Sequence, residues 1–187
     1  MSDTKPQTAE GKVLWHFTMS LDGFVAGPNH EMEWMIGTNR PGLIDEYVTT
    51  TGAVLGGRSG WDMAAASGGR PYGDDWDGPI FVLTHHPEDA APAEGVTFLN
   101  CDAAEAVRIG LEAAGGKNLE VLSPTIGHQL LELGLIDEID LHIAPVLLGD
   151  GIRLYDNPGR EPIHLHRVED DDPNSEVNVR YRPVSRA

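Results

Sequence analysis

The chain has 187 residues, 40% hydrophobic and 23% charged, the proportions of an ordinary folded protein long enough for one filled core. With 13 Lys and Arg against 30 Asp and Glu its formal charge is -17, which argues against nucleic acid or an anionic membrane surface as a partner. The one cysteine, Cys101, rules out an internal disulfide framework, and no apolar run approaches the ~20 residues of a membrane span, so a cytoplasmic protein is expected.

Residues 1–11 lack an apolar signal core and read as a loose polar tail, leaving 12–187 as a single expected domain. From Lys12, "KVLWHFTM" sets Val13, Trp15, Phe17 and Met19 on one face of an extended segment and Leu14, His16 and Thr18 on the other, as in a central strand. Asp22-Gly23 and Gly27-Pro28 mark the loop that follows. Leu43, Ile44, Tyr47 and Val48 predict an amphipathic helix between Pro41 and Thr51, ending near Gly52. "AVLGGR" then supplies a very short strand stopping on two glycines, and Ser67 to Pro79, rich in Gly, Asp and Pro, reads as an irregular surface excursion.

"PIFVLTHH" has the composition of a buried strand and "VTFLN" that of a weaker one. Asp102 caps a predicted helix reaching about Ala114. "LEVLS" is the next strand, Thr125 to Leu133 the next helix, closed by Gly134, and "DEIDLHIAPVLL" a long strand. "PIHLHRV" and "EVNVRYRP" form a final antiparallel hairpin around the acidic run Glu169 to Asp172, which reads as a solvated loop. About eight strands and three or four helices in this order imply an α/β fold: a mostly parallel sheet with helices on both faces and an antiparallel C-terminal hairpin.

Several common site motifs are missing: GxxxxGK[ST], GxGxxG between strand and helix, a Ser elbow, HExxH and CxxC. The pairs His85-His86 and His164-x-His166 have no third ligand and read as exposed strand and loop residues, so no metal is expected. Gly56-Gly57-Arg58-Ser59 offers a permissive backbone and a cation that a phosphate can use, or simply a tight strand exit with an exposed Arg. Ser123-Pro124 is equally open between an anion site and a plain helix cap.

Taken together, "FTMSLDGFVAGP", "AVLGGRSGWDM", "IFVLTHHP" and "VLSPTIGHQLLELGLIDEIDLHIAPVLLGDGIRLYD" resemble, in order and spacing, dihydrofolate-reductase-like proteins over about residues 12 to 182. The likeness is greatest to the branch of the reductase domain of the riboflavin-biosynthesis deaminase/reductase, and "GLIDEIDLHIAPVLLGDGIRLY" is its most specific part. It implies a three-layer fold with NADPH, or alternatively NADH, across the C-terminal ends of the parallel strands. By the same resemblance, Gly57, Arg58 and Ser59 hold adenosine phosphates, Leu83, Thr84 and His85 lie along the adenosine ribose, and Ser123, Pro124, Thr125 and Ile126 face the pyrophosphate. The loop from Asp22 to Gly27 then approaches the nicotinamide, and a small-molecule substrate lies between that loop and the helix bearing Asp45 and Tyr47. Such proteins commonly pair, so a homodimer is expected, with "IAPVLLG" as a candidate face.

Two positions depart from that branch. Ser123-Pro124 stands where Gly-Gly is usual, and Pro124 removes one N–H donor; Ser59-Gly60 stands where a basic residue and Thr often follow the Gly-Arg pair. Losing one or two charge-assisted hydrogen bonds of ~1.5–3 kcal/mol each would weaken dinucleotide binding by ~10- to 10⁴-fold without compensation. The leading reading is a reductase transferring hydride to a small heterocyclic or carbonyl/imine compound, with Asp22 the first candidate and Asp45 the second for a polar group near the developing charge. Asp22 has an equal reading as the start of an Asp-Gly turn. The rival class is a non-catalytic dimeric binding module of the same fold.

Overall fold

The computed structural model describes residues 11–35, 42, 44–66, 69–156, 158, 165–167 and 178–184. Ten strands and four α-helices follow one another in it as β1 Val13–Ser20, β2 Phe24–Ala26, α1 Asp45–Thr50, β3 Thr51–Gly57, α2 Arg58–Ala66, β4 Ile80–Leu83, β5 Val96–Leu99, α3 Ala103–Ala114, β6 Asn118–Leu122, α4 Pro124–Glu132, β7 Glu138–Ala144, β8 Ile152–Arg153, β9 Leu165–Arg167 and β10 Asn178–Pro183. Eight strands form one sheet in the order β5-β4-β3-β6-β1-β7-β10-β9, parallel from β5 to β7, with β10 antiparallel to both β7 and β9. The expected mostly parallel sheet with an antiparallel C-terminal pair is therefore present, and β1 is a central strand between β6 and β7. A separate antiparallel pair, β2 with β8, joins the loop after β1 to the segment after β7.

Strand alternation decides what each side of the sheet meets. Val13, Trp15, Ala53, Leu55, Phe81, Leu119, Val121, Ile139 and Leu141 make one apolar face, packed against Ala106 and Val107 of α3 and Ile126 and Leu130 of α4. Burial of side chains such as Trp15 and Leu119, 1% and 0% exposed, contributes ~2–3 kcal/mol each. The α3 start is capped as its sequence predicts, the Asp102 carboxylate accepting the Glu105 N–H at 2.8 Å. Gly127 of α4 lets that helix lie directly on the Trp15 ring, and any larger residue there would collide with it. On the opposite face the β3–β4 half is apolar, with Val54, Ile80 and Val82 packed against Trp76 and Trp61. The half formed by β6, β1, β7 and β10 is polar.

Four expectations are corrected. The "AVLGGR" strand is seven residues long, Thr51–Gly57, because the helix before it stops at Thr50 and hands the chain straight to the sheet. The excursion before Pro79 is not merely superficial: Trp76 is buried and its Nε1–H donates to the Thr51 carbonyl at 2.9 Å, while the Tyr72 hydroxyl reaches the buried Glu120. The long strand predicted through Leu148 ends at Ala144, since Pro145 has no N–H for the ladder and the chain turns back toward Asp22. Arg58 and the residues after it, given no helix in the elements above, form the nine-residue helix α2. Pro41, Leu43, His164 and the run Glu169 to Asp172 lie outside the described residues.

Candidate functional site

The strand order places a cleft. From β3 the chain leaves through α2 to its outer neighbour β4, whereas from the adjacent β6 it leaves through α4 in the opposite direction to β7. Such a reversal opens a crevice beyond the carboxyl ends of the two strands, the position where open α/β sheets receive ligands. At its floor Gly57 ends β3 and Ser123 follows β6, so close that a Cβ on Gly57 would lie 3.2 Å from Ser123 Oγ and 3.9 Å from Ile126 Cδ1. A Cβ at Gly56 or Gly60 would meet nothing within 4 Å, which leaves the backbone at the start of α2 open to approach.

Both helix starts face that floor. Ser123 caps α4: its Oγ accepts the Ile126 N–H at 3.3 Å and its carbonyl accepts the Gly127 N–H at 2.9 Å and the Trp15 Nε1–H at 3.2 Å. Pro124 brings no donor, so Thr125, which is exposed, carries the N–H of this turn that the cap does not claim. Arg58 opens α2, and its Nε donates to both Asp62 oxygens at 2.8 Å. Next to this, Leu83 ends β4 in register with Gly57, Thr84 donates its N–H to Leu99 at 2.9 Å, and His85 and Ser59 are exposed. Gly57, Arg58, Leu83, Thr84, Ser123 and Ile126 are thus brought together on the carboxyl edge of three neighbouring strands.

Asp22 lies apart from them, beyond the end of β1. Its carboxylate accepts the Ser20 hydroxyl at 2.7 Å and the N–H groups of Leu148 at 3.1 Å and Gly149 at 2.7 Å. The Ser20 bond, followed by these backbone donors, holds its pKa down at about 2. At neutral pH such a group is an anionic clasp rather than a proton donor: it fastens the loop after β1 to the loop after β7, aided by Leu21 N–H to Val146 carbonyl at 2.8 Å. Gly27 sits in a tight turn, accepting from His30 and donating to the Glu31 carbonyl at 2.9 Å. Asp45 is exposed on the first turn of α1, while Tyr47, two residues on, points inward.

Beneath α1 lies a buried polar network that the sequence reading did not single out. His16 Nδ1 and the Tyr72 hydroxyl both donate to Glu120 Oε1, and Thr51 Oγ1 donates to Glu120 Oε2 at 3.0 Å. Asp140 Oδ2 accepts from the Tyr47 hydroxyl at 3.1 Å and Arg180 Nε at 2.9 Å, and Arg180 Nη2 also reaches Glu46 at 2.8 Å. His142 Nδ1 donates to Asn178 Oδ1 at 2.5 Å. Burial raises the Tyr47 and Tyr72 hydroxyl pKa values, so both remain protonated donors. Burial also lifts Asp140 to about 6 against the pull of Arg180, and lowers His142 to about 3. His16 Nε2, His142 Nε2 and Asp140 Oδ1 have no hydrogen-bond partner among the described residues, in a region where each such group is expected to have one. The available signal was the polar alternation Glu138, Asp140, His142 in β7 and Asn178, Arg180, Arg182 in β10.

A three-layer arrangement with a carboxyl-edge cleft of this kind is that of the dihydrofolate-reductase-like reductases. The RibD C-terminal domain model matches residues 11–174, and the chain belongs to that family. Among curated relatives, the uncharacterized proteins YwjB and YyaP of Bacillus subtilis (strain 168) are 28% and 25% identical, covering 78% and 77% of this chain and 83% and 80% of theirs. Among solved structures, a protein from Shewanella sp. PV-4 superposes with TM-score 0.73 at 18% identity, over 93% of this chain and 99% of that one. RibD of Acinetobacter baumannii gives 0.66 at 15%, over 95% and 59%, and dihydrofolate reductase of Enterococcus faecalis complexed with NADP(H) gives 0.61 at 14%, over 94% and 98%. These last likenesses establish the fold. No helix among the described residues is long and apolar enough to cross a membrane.

Proposed function

We propose that this protein is a reductase that draws hydride from a reduced nicotinamide dinucleotide and delivers it to a small heterocyclic or carbonyl/imine substrate, related to the reductase step of riboflavin biosynthesis. The observation that carries the reading is the contact of Gly57 with Ser123 beneath the starts of α2 and α4, at the reversal of strand order. Two helix starts, an unclaimed Thr125 N–H and open backbone at Gly56 and Gly60 suit a diphosphate held by main-chain donors. Arg58, Ser59, Leu83, Thr84 and His85 would then border the adenosine half, and Ser123, Thr125 and Ile126 the diphosphate.

The dinucleotide supplies the hydride; the chain orients it and excludes water. Asp22 acts as a positioning residue, holding the loops after β1 and β7 as one rim beside the nicotinamide. The substrate lies on the α1 side, the side of the buried network of Tyr47, His16 and His142. Exposed Leu147, 71% accessible, fits the expected homodimer face.

Fluorescence titration with NADH and NADPH, using Trp15 and Trp61 as reporters, tests the reading. Saturation in the micromolar range is expected, followed by loss of reduced-nicotinamide absorbance with a heterocyclic or imine substrate. No response to millimolar concentrations of either dinucleotide would favour the binding module instead.

A further inference from the structure

The β3–β4 end of the cleft has a charge arrangement of its own. Arg58 is the only Arg or Lys in residues 56–62 and 83–90. Besides the two bonds from Nε to Asp62, its Nη1 donates to the His86 carbonyl at 3.3 Å and its Nη2 to the Asp89 carbonyl at 3.2 Å. The guanidinium carbon lies 5.9 Å from the Phe98 ring centroid. Each of its three nitrogens is therefore engaged by the chain itself. Asp62 stands one helical turn after Arg58, so the pairing is built into α2. The loop after β4 adds the carboxylates of Glu88 and Asp89, within 4.8 Å of each other and of a His86 ring nitrogen. One cation is set among three carboxylates.

We propose that Asp62 is a specificity-determining residue that biases the cleft toward NADH over NADPH. This rests on the reading above, in which the nicotinamide lies beside the Asp22 rim and the adenosine half borders β3 and β4. The two dinucleotides differ by a 2′-phosphate carrying about -1.5 to -2 charges at neutral pH. Arg58 can offer it only the second N–H of Nη1 and of Nη2, because Nε is held by Asp62, and the Asp62 carboxylate then stands beside the phosphate as a like charge, with those of Glu88 and Asp89 in the loop after β4. A ribose 2′-hydroxyl adds no charge and can donate to a carboxylate, as acidic residues accept ribose hydroxyls in other dinucleotide sites. The ion pair itself is exposed and weak, so the bias comes from where the charges stand rather than from the strength of the pair.

The test is equilibrium titration of the full chain and of Asp62→Asn and Asp62→Ser with NADH and with NADPH at one ionic strength. Wild-type protein is expected to bind NADH ~10-fold more tightly, and either variant to shift the ratio of dissociation constants at least ~5-fold toward NADPH. Equal or tighter binding of NADPH by wild type, or an unchanged ratio in both variants, overturns the assignment while leaving the reductase standing. Failure of wild type to bind either dinucleotide overturns the reductase and the assignment together.

Discussion

The imidazole of His16 lies flat against the phenol ring of Tyr47, with centroids 3.9 Å apart and planes 12° from parallel. Through this stack the central strand of the sheet holds the six-residue helix α1, which is too short to be stable alone. The Tyr47 hydroxyl adds a second tie by donating to Asp140.

Tyr47→Phe keeps the stack and removes only the hydroxyl. We expect it to cost ~1–2 kcal/mol in urea unfolding, and Tyr47→Ala ~3–5 kcal/mol because the packing goes as well. Equal losses in the two variants would show that the ring contributes nothing.

Acid stability depends on the same face. Asp140, raised to about 6, keeps in the folded state a proton that the unfolded carboxyl releases near its ordinary 3.8, so it adds stability as pH falls through that window. His142, lowered to about 3 from 6.5, acts in the other sense: the unfolded imidazole takes up a proton that the folded one refuses, and stability is lost as pH falls. Between about pH 4 and 6 the two oppose one another. Relative to wild type, His142→Gln should gain stability as pH falls through that range, read as urea midpoints; a flat difference between the curves would contradict the assignment.

Asp22→Asn cannot accept at both oxygens. Amide exchange at Leu148 and Gly149 should quicken while core amides of β1 and β6 are unaffected, and hydride transfer should slow with little change in dinucleotide affinity. Unaltered exchange at those two amides would rule out the clasp.

Replacing Ser123-Pro124 with Gly-Gly removes the cap of α4 and restores a main-chain donor. We expect a stability loss of ~1 kcal/mol, a few tenths from the cap and the rest from the freedom that removing Pro124 gives the unfolded chain, together with tighter dinucleotide binding. Weaker or unchanged affinity, measured by titration, would mean that the proline at the rim is not what limits the site.

Gly127→Ala drives a methyl group into the Trp15 indole, backed by strand β1. A loss of ~2–3 kcal/mol or more is expected, with a shift in Trp15 emission. An unaffected melting temperature would contradict the close approach of α4 to the sheet.

Much of this was legible in the sequence, for identifiable reasons. Val13, Trp15, Phe17 and Met19 announce a central strand because one wholly apolar face forces strict alternation, and Asp102 announces α3 because a capping carboxylate has a local job. The Ser123 cap was legible for the same local reason. Trp76 and Tyr72 were not, since Gly, Asp and Pro around them describe the backbone of a loop and say nothing of where two aromatic rings turn. The network at Glu120, Asp140 and His142 was not legible because its members are divided between β6 and β7, and only the parallel pairing of β1 with both sets His16 among them. Arg58 was legible as a cation near the cleft; that Asp62 and two carbonyls occupy it depends on the helix α2, for which no local signal was read.

The opposed chemistry of the two sides of β7 also governs how the chain finds its alignment. Glu138, Asp140 and His142 alternate with Ile139 and Leu141, so a slip of β7 by one position would push two acids and an imidazole into oil and part Arg180 from Asp140 and Arg182 from Glu138. Misthreaded intermediates with that parity are therefore strongly disfavoured, and the charged interior serves as a proofreading device for strand assembly.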